Sequence, residues 1–132
     1  MMIDKQKKAY QAMGEFVDGF VRDLSNLSDE GWSVLVEGPR DERALRALGY
    51  EGELVTVSEL GRSMRAVVGR AKGVVILTDL DREGAVLAAR FVRRIRHEGI
   101  RASLSERRRL KAASHGVFLH IENLSRFGRR ES

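Results

Sequence analysis

The sequence is organised around residues 74–84, where a short apolar run leads into acids and then into a helical pattern. Residues 74–77 are consecutive apolar side chains rich in β-branching, which is typical of a strand buried on both faces of a parallel sheet. Three acids follow at alternate positions: Asp79, Asp81 and Glu83. Because like charges this close repel one another, the pattern predicts a site for a divalent cation, and Mg²⁺ is the ion that prefers hard oxygen ligands.

Apolar periodicity predicts strands that alternate with helices along the rest of the chain. Strands are expected at 32–36, 54–57, 74–77 and 100–104, and helices at 4–27, 41–48, 63–71 and 83–98. This alternation is typical of βαβ units with right-handed crossovers. It therefore predicts an α/β fold, with a mainly parallel sheet of about four strands flanked by helices and an amphipathic helix at the N-terminus.

Two regions are less regular. Gly14 and Gly19 each lower helix propensity by about 1 kcal/mol, so the first helix is expected to bend or break in its middle. Beyond the fourth strand, 105–113 is either a loop or a short basic helix, 117–121 is predicted as a final strand, and 121–127 as a short closing helix. Residues 128–132 are expected to fray.

Composition limits the class of protein. The 132 residues predict one domain, with a core at 32–104, the N-terminal helix at 4–27 and a basic tail at 105–132. The absence of cysteine excludes disulfides, a thiolate nucleophile and a cysteine zinc site. No apolar run reaches the roughly 20 residues that a membrane span needs, and the charged N-terminus does not resemble a signal peptide. A cytoplasmic protein without membrane association is therefore expected.

A second acidic turn follows the first predicted strand, at Glu37. In a doubly wound sheet the carboxyl ends of two strands can share one crevice, so this acid is expected to face the first cluster. Asp79 and Asp81 would then bind Mg²⁺, and Glu37 would complete the coordination or act as a general acid or base. Glu83 would hold a second metal directly or through water. Gly38 and Gly84 are predicted as turn residues.

A structural explanation of the same acids stays open. Either aspartate could cap the helix that begins near residue 82, and Glu83 would favour the first turn of that helix through the macrodipole. Glu37 could be a surface acid paired with Arg40 or Arg43.

The net charge of +5 favours a polyanionic partner. The basic residues expected to contact nucleic acid are Arg40, Arg82, Arg90, Arg93, Arg94, Arg107, Arg108, Arg109 and Lys111. The alternative is a solvated surface whose ion pairs serve thermal stability. His115 and His120 could reach the site, but two lone histidines near a terminus are more often ordinary surface or packing residues, which is the interpretation preferred here. Trp32 is interpreted as a packing residue.

The two acidic motifs together carry a family resemblance. Glu37-Gly38-x-x-Asp41, followed by Asp79-x-Asp81-Arg82-Glu83-Gly84, resembles the Toprim domain of topoisomerases, bacterial-type primases, overcoming-lysogenization-defect nucleases, RecR and ribosomal-RNA-maturing ribonucleases. The resemblance covers roughly 32–104, and the second motif is similar to its form in type IA topoisomerases. It implies acid/base duty for the residue matching Glu37 and Mg²⁺ binding by those matching Asp79 and Asp81. The chain is similar to the small stand-alone Toprim proteins, called primase-like or ribonuclease-like.

The resemblance implies Mg²⁺-dependent phosphodiester chemistry, with Mn²⁺ as a possible substitute. A topoisomerase needs a tyrosine nucleophile on further domains, and a bacterial-type primase needs a zinc module, so a small nuclease acting on structured RNA is the leading hypothesis. RNA is expected over DNA, within a ribonucleoprotein or protein complex of unspecified stoichiometry. One alternative is a non-catalytic nucleic-acid-binding or scaffold module like RecR, and a weaker one is primase-like nucleotidyl transfer.

Overall fold

A computed structural model describes residues 3–128, in which helices alternate with strands. In chain order the elements are α1 (Asp4–Asp29), β1 (Trp32–Val36), α2 (Pro39–Ala47), β2 (Leu54–Thr56), α3 (Val57–Arg62), α4 (Met64–Val68), β3 (Gly73–Ile76), α5 (Arg82–His97), β4 (Arg101–Ser103), α6 (Ser105–Ser114) and a final 3₁₀ helix (Ile121–Arg126). None of the helices within 3–128 has the length and apolarity that crossing a bilayer requires.

The four strands form one parallel sheet in the order β2-β1-β3-β4. Val34 of β1 is in register with Leu54 of β2 on one side and with Val75 of β3 on the other. The chain therefore moves outward from β1 to β2, returns to place β3 on the other side of β1, and then moves outward again from β3 to β4. Such a reversal leaves a crevice at the carboxyl ends of the two central strands, β1 and β3.

The strands contribute alternate side chains to two separate apolar cores, because successive side chains on a strand point to opposite faces of the sheet. Val34, Val36, Val75 and Leu77 pack with α1, α2, α6 and the final 3₁₀ helix on one face. Leu35, Val74 and Ile76 pack with α3, α4 and α5 on the other face. The predicted α/β fold, with a parallel sheet of four strands, flanking helices and a long N-terminal helix, is confirmed.

Several local predictions were wrong. α1 is continuous through Gly14 and Gly19, because its buried face is held by the core beneath it. β2 ends one residue early, since the Thr56 hydroxyl accepts a hydrogen bond from Glu59 N at 3.3 Å and starts α3. The helix predicted at 63–71 is present only as the shorter α4, and α3 before it was not predicted; Ser63 ends α3 and caps α4.

The tail also differs from expectation. Residues 105–114 are helical, which settles the open choice between loop and helix. Residues 117–120 form no strand; Leu80 N donates to Leu119 O at 2.6 Å, and buried Phe118 anchors the segment in the core instead. The closing helix is present as the 3₁₀ helix. The expectation of fraying falls largely on 129–132, outside the described residues.

At Gly14, helix α1 lies close to the C-terminal end of the described chain. Gly14 is buried in α1 directly under the carbonyl of Phe127, and a Cβ atom at this position would collide with that backbone oxygen. Gly19 lies in the same helix with no atom within 4 Å of an added Cβ. The two glycines are therefore a matched pair for testing whether this contact holds the tail in place.

We expect Gly14→Ala to lower the free energy of unfolding by about 1–3 kcal/mol, because the tail must move away from α1. Gly19→Ala is expected to raise it by about 0.5–1 kcal/mol, because alanine has the higher helix propensity. Urea denaturation followed by circular dichroism measures both. Equal stabilisation by the two substitutions would show that the tail does not pack on α1 in solution.

Candidate metal centre

The two predicted acidic turns meet at the crevice between the central strands. Leu77 N donates to Leu35 O at 2.8 Å, which extends the pairing of β1 and β3 beyond the strands themselves. Immediately after it, Asp79 N donates to Glu37 Oε2 at 2.9 Å. The carboxylate at the end of β1 is thus fixed against the backbone of the turn that follows β3. Glu37, Asp79 and Asp41 line one small cavity of about 340 Å³.

This environment changes the acidity of Glu37. Its pKa is raised from 4.5 to about 7, chiefly because burial penalises the charged carboxylate. The side chain and negative charge of Asp79 and the charge of Asp41 raise the pKa further, whereas the hydrogen bond from Asp79 N opposes the shift. A carboxyl group with a pKa near neutrality can both accept and release a proton, as general acid–base catalysis requires.

Asp81 both caps a helix and faces the site. Its Oδ1 accepts a hydrogen bond from Gly84 N at 2.7 Å at the start of α5, so the helix-cap interpretation is confirmed. Its Oδ2 lies 3.9 Å from His120 Nδ1. Because a carboxylate has two oxygens, capping leaves the second available to a ligand.

Gly84 is required by the tightness of this turn. Thr78 Oγ1 donates to Gly84 O at 2.7 Å, and a Cβ on Gly84 would collide with the backbone of Asp79. Gly38 differs, since its backbone is extended and an added Cβ would have nothing within 4 Å. Its N–H donates to Asp41 Oδ2 at 3.0 Å, which holds the start of α2.

His120 lies at the site although it is not among the predicted site residues. Its Nδ1 lies 3.3 Å from Asp79 Oδ2, and the neighbouring Ile121 N donates to Asp79 Oδ1 at 2.8 Å. The pKa of His120 is raised, mainly by the hydrogen bond to the Asp79 side chain. His120 is exposed, as expected, and its contact with Asp79 shows that it also reaches the site, which was the alternative left open for it. No sequence signal links it to an acid 41 residues away, because the tail reaches the site only through the burial of Phe118 and Ile121.

Three side chains within 3–128 have the spacing of a metal site. One ligand atom from each of Asp79, Asp81 and His120 lies within 4.8 Å of the others. Glu37 stands beside this group through its bond to Asp79 N, whereas Glu83 is exposed in the first turn of α5 and is not part of it. Carboxylate oxygens suit Mg²⁺ and Mn²⁺, and an imidazole nitrogen suits transition metals, so the donor set fits a small divalent cation.

Arg107 lies behind the acids. It is buried, and its guanidinium donates to Thr78 O at 3.2 Å and to Asp79 O at 2.6 Å. Burial lowers the pKa of Arg107, and the charges of Asp81, Glu37 and Asp79 oppose that shift. The structure therefore gives Arg107 an internal role in holding the turn, which differs from the surface role predicted for it.

The other predicted basic residues are exposed, but they do not form one surface. Arg40 and Arg82 flank the acidic turns. Three lie on α5 and three on α6, which pack on opposite faces of the sheet: Arg90, Arg93 and Arg94, then Arg108, Arg109 and Lys111. Arg109 is already engaged, since it pairs with Asp23 at 2.8 Å and stacks over the Phe20 ring at 5.2 Å.

Sequence comparison identifies relatives among archaeal proteins. A UPF0292 protein of Thermococcus onnurineus is 39% identical over 102 residues, which cover 76% of this chain and 77% of that protein. The chain belongs to the UPF0292 family. A UPF0292 protein of Methanosarcina barkeri is 32% identical, over 87% of this chain and 82% of its own length. No family model matches the chain.

A solved structure supports the fold of this UPF0292 chain. The structure, of a protein from Aquifex aeolicus, superposes with a TM-score of 0.68 and covers 80% of this chain and 94% of its own. At 22% sequence identity the likeness extends to the fold alone.

We expect Arg107→Met to lower the free energy of unfolding by about 1–3 kcal/mol, because two carbonyl oxygens lose their donor and the acids lose a nearby positive charge. Its neighbour Arg108 is exposed on the same helix, so Arg108→Met is expected to change stability by less than about 0.5 kcal/mol. Thermal and urea unfolding of both variants give the comparison. Similar stabilities for the two would show that the guanidinium of Arg107 does not hold the turn.

Proposed function

We propose that the protein catalyses metal-dependent phosphodiester chemistry on nucleic acid, as a small nuclease acting on structured RNA in the cytoplasm. The observation that carries the proposal is the direct contact between Glu37 and the turn bearing Asp79 and Asp81. The resemblance of the two motifs to Toprim enzymes supports the same chemistry.

The residues divide the work by their chemistry. Asp79 and Asp81 would hold Mg²⁺ or Mn²⁺, with His120 as a further donor to Mn²⁺. Such an ion, when bound, polarises a phosphoryl oxygen and stabilises the leaving oxygen. Glu37 supplies the proton transfer, since Asp79 N fixes its Oε2 and its pKa of about 7 lets the carboxyl group gain and lose a proton near neutrality. Hydrolysis then needs only a water molecule and a positioned backbone.

A second candidate function is binding without catalysis, as in RecR. It is favoured by the way protein groups already satisfy the acids: His120 and Ile121 N contact both oxygens of Asp79, and Arg107 supplies a positive charge behind them. A site neutralised by its own side chains has less need of a cation. A cleavage assay separates the two candidates.

We expect the purified protein to cleave structured RNA with Mg²⁺ or Mn²⁺, and Glu37→Gln to lower the rate by about 10²–10⁴-fold, because the amide cannot transfer a proton. Asp79→Asn is expected to abolish cleavage by removing a metal ligand. The control is Glu51→Gln, an exposed carboxylate outside the site. Cleavage that survives both site substitutions would come from a contaminant and would remove the enzymatic proposal.

Metal selectivity tests the place of His120. We expect His120→Ala to weaken Mn²⁺ binding more than Mg²⁺ binding, because an imidazole nitrogen is a better ligand for a transition metal than for Mg²⁺. Isothermal titration calorimetry measures both affinities, and His115→Ala is the control because His115 is exposed outside the ligand group. Equal changes for the two ions would exclude His120 from the coordination sphere.

A further inference from the structure

A basic groove lies beside the acidic site. It is a cavity of about 610 Å³ between α2 and the final 3₁₀ helix, and we call it the α2 groove. Arg40 and Arg43 come from α2, and Asn123 and Arg126 from the 3₁₀ helix. Arg43 is not among the basic residues predicted from the sequence to contact nucleic acid.

The geometry of α2 builds one wall of the groove. Positions 40, 43, 44 and 47 follow helical spacing and therefore share one face. Two of these residues, Ala44 and Ala47, have small side chains and so leave open space between the arginines of the two helices. The cavity is in the range of about 300–1,000 Å³ that takes a compact ligand, and it is too small for a duplex.

The positive charges of the groove arginines are not neutralised by an ion pair within residues 3–128. The side chains of Arg40, Arg43 and Arg126 are exposed, and none makes an ion pair or a hydrogen bond with another residue of the 3–128 segment. Arg109 and Arg107, by contrast, are held by an acid and by carbonyl groups. Uncommitted guanidinium groups around a concavity suit an anion with several oxygens, because the planar fork matches phosphate.

The groove adjoins the acidic site. Arg40 and Glu122 line both the α2 groove and the small cavity that contains Glu37 and Asp79. Charge therefore changes from negative at the strand ends to positive along the face of α2 that bears Arg40 and Arg43. Among the described residues, Glu122 is the one carboxylate in the lining of the groove. A phosphate held by the arginines would be next to a phosphate at the acids.

We propose that the α2 groove binds the phosphodiester backbone of a single nucleic-acid strand next to the acidic site. The inference rests on the proposed function, and it assigns the flanking part of the substrate to Arg40, Arg43 and Arg126. Within residues 3–128 the lining contains no aromatic ring, so bases are not stacked there and binding does not depend on sequence. Binding through phosphates is sensitive to salt.

The test is fluorescence anisotropy with a short labelled single-stranded RNA in EDTA, at several KCl concentrations. The variant is the double substitution Arg43→Ala and Arg126→Ala. We expect weaker binding and a smaller slope of log affinity against log salt, by about 0.7 for each phosphate that the variant no longer neutralises. The matched control removes two exposed arginines from the opposite side of the sheet, Arg62→Ala with Arg70→Ala, and is expected to keep the wild-type slope.

Two further arms separate electrostatics from damage to the fold. Glu122→Gln is expected to tighten binding, because it removes a negative charge from the lining of the groove. A single-stranded DNA of the same sequence should show the same change of slope, whereas a duplex should bind both double variants alike. An unchanged slope in the groove variant, an equal weakening in the control, or an equal weakening for duplex would overturn the proposal.

Chelation keeps this result independent of catalysis. If groove-dependent binding is found and no RNA is cleaved with metal, the α2 groove stands and the nuclease proposal fails. If RNA is cleaved and the groove variant binds like the wild type, the groove proposal fails alone.

Discussion

The site depends on a hydrogen bond between two strand ends, from Asp79 N to Glu37 Oε2 at 2.9 Å. The bond exists because β1 and β3 are neighbours at the centre of the sheet, although 42 residues separate the two acids. The strand order β2-β1-β3-β4 therefore brings the acids together. Burial of the apolar side chains of β1 and β3 in the two cores stabilises this pairing of the strands. The acids that follow each strand are therefore fixed at the same edge of the sheet.

Holding several carboxylates at one edge requires compensating groups, and most of these come from the tail. Arg107 of α6 supports the turn from behind, and His120 and Ile121 N contact Asp79 from the side. The core predicted at 32–104 therefore does not contain the whole site. The stretch from α6 to the 3₁₀ helix is part of the acidic centre as well as a cover for the sheet.

Those strands and acidic residues that have a recognisable pattern in the nearby sequence could be predicted. The strands at β1 and β3 are continuous apolar runs, and Glu37, Asp79 and Asp81 follow them directly, so their meeting required only the rule that strands in α/β folds share a carboxyl edge. His120 and the inward turn of Arg107 have no such signal. An arginine among three consecutive arginines is expected at the surface, and only tertiary packing selects the one that is buried.

The proposed roles of the acidic site and the α2 groove depend on each other. Mg²⁺ is commonly held by one or two carboxylates together with substrate phosphates, so in the proposed site the two aspartates would need oxygens from the nucleic acid. His120 also contacts Asp79, and in the proposed site it would add a nitrogen donor beside the carboxylates. A strand bound at Arg43 and Arg126, as proposed, would place phosphate oxygens next to the acids, because Arg40 and Glu122 line both cavities. Substrate and cation would therefore favour each other's binding, because the coupling free energy between two linked sites acts equally in both directions.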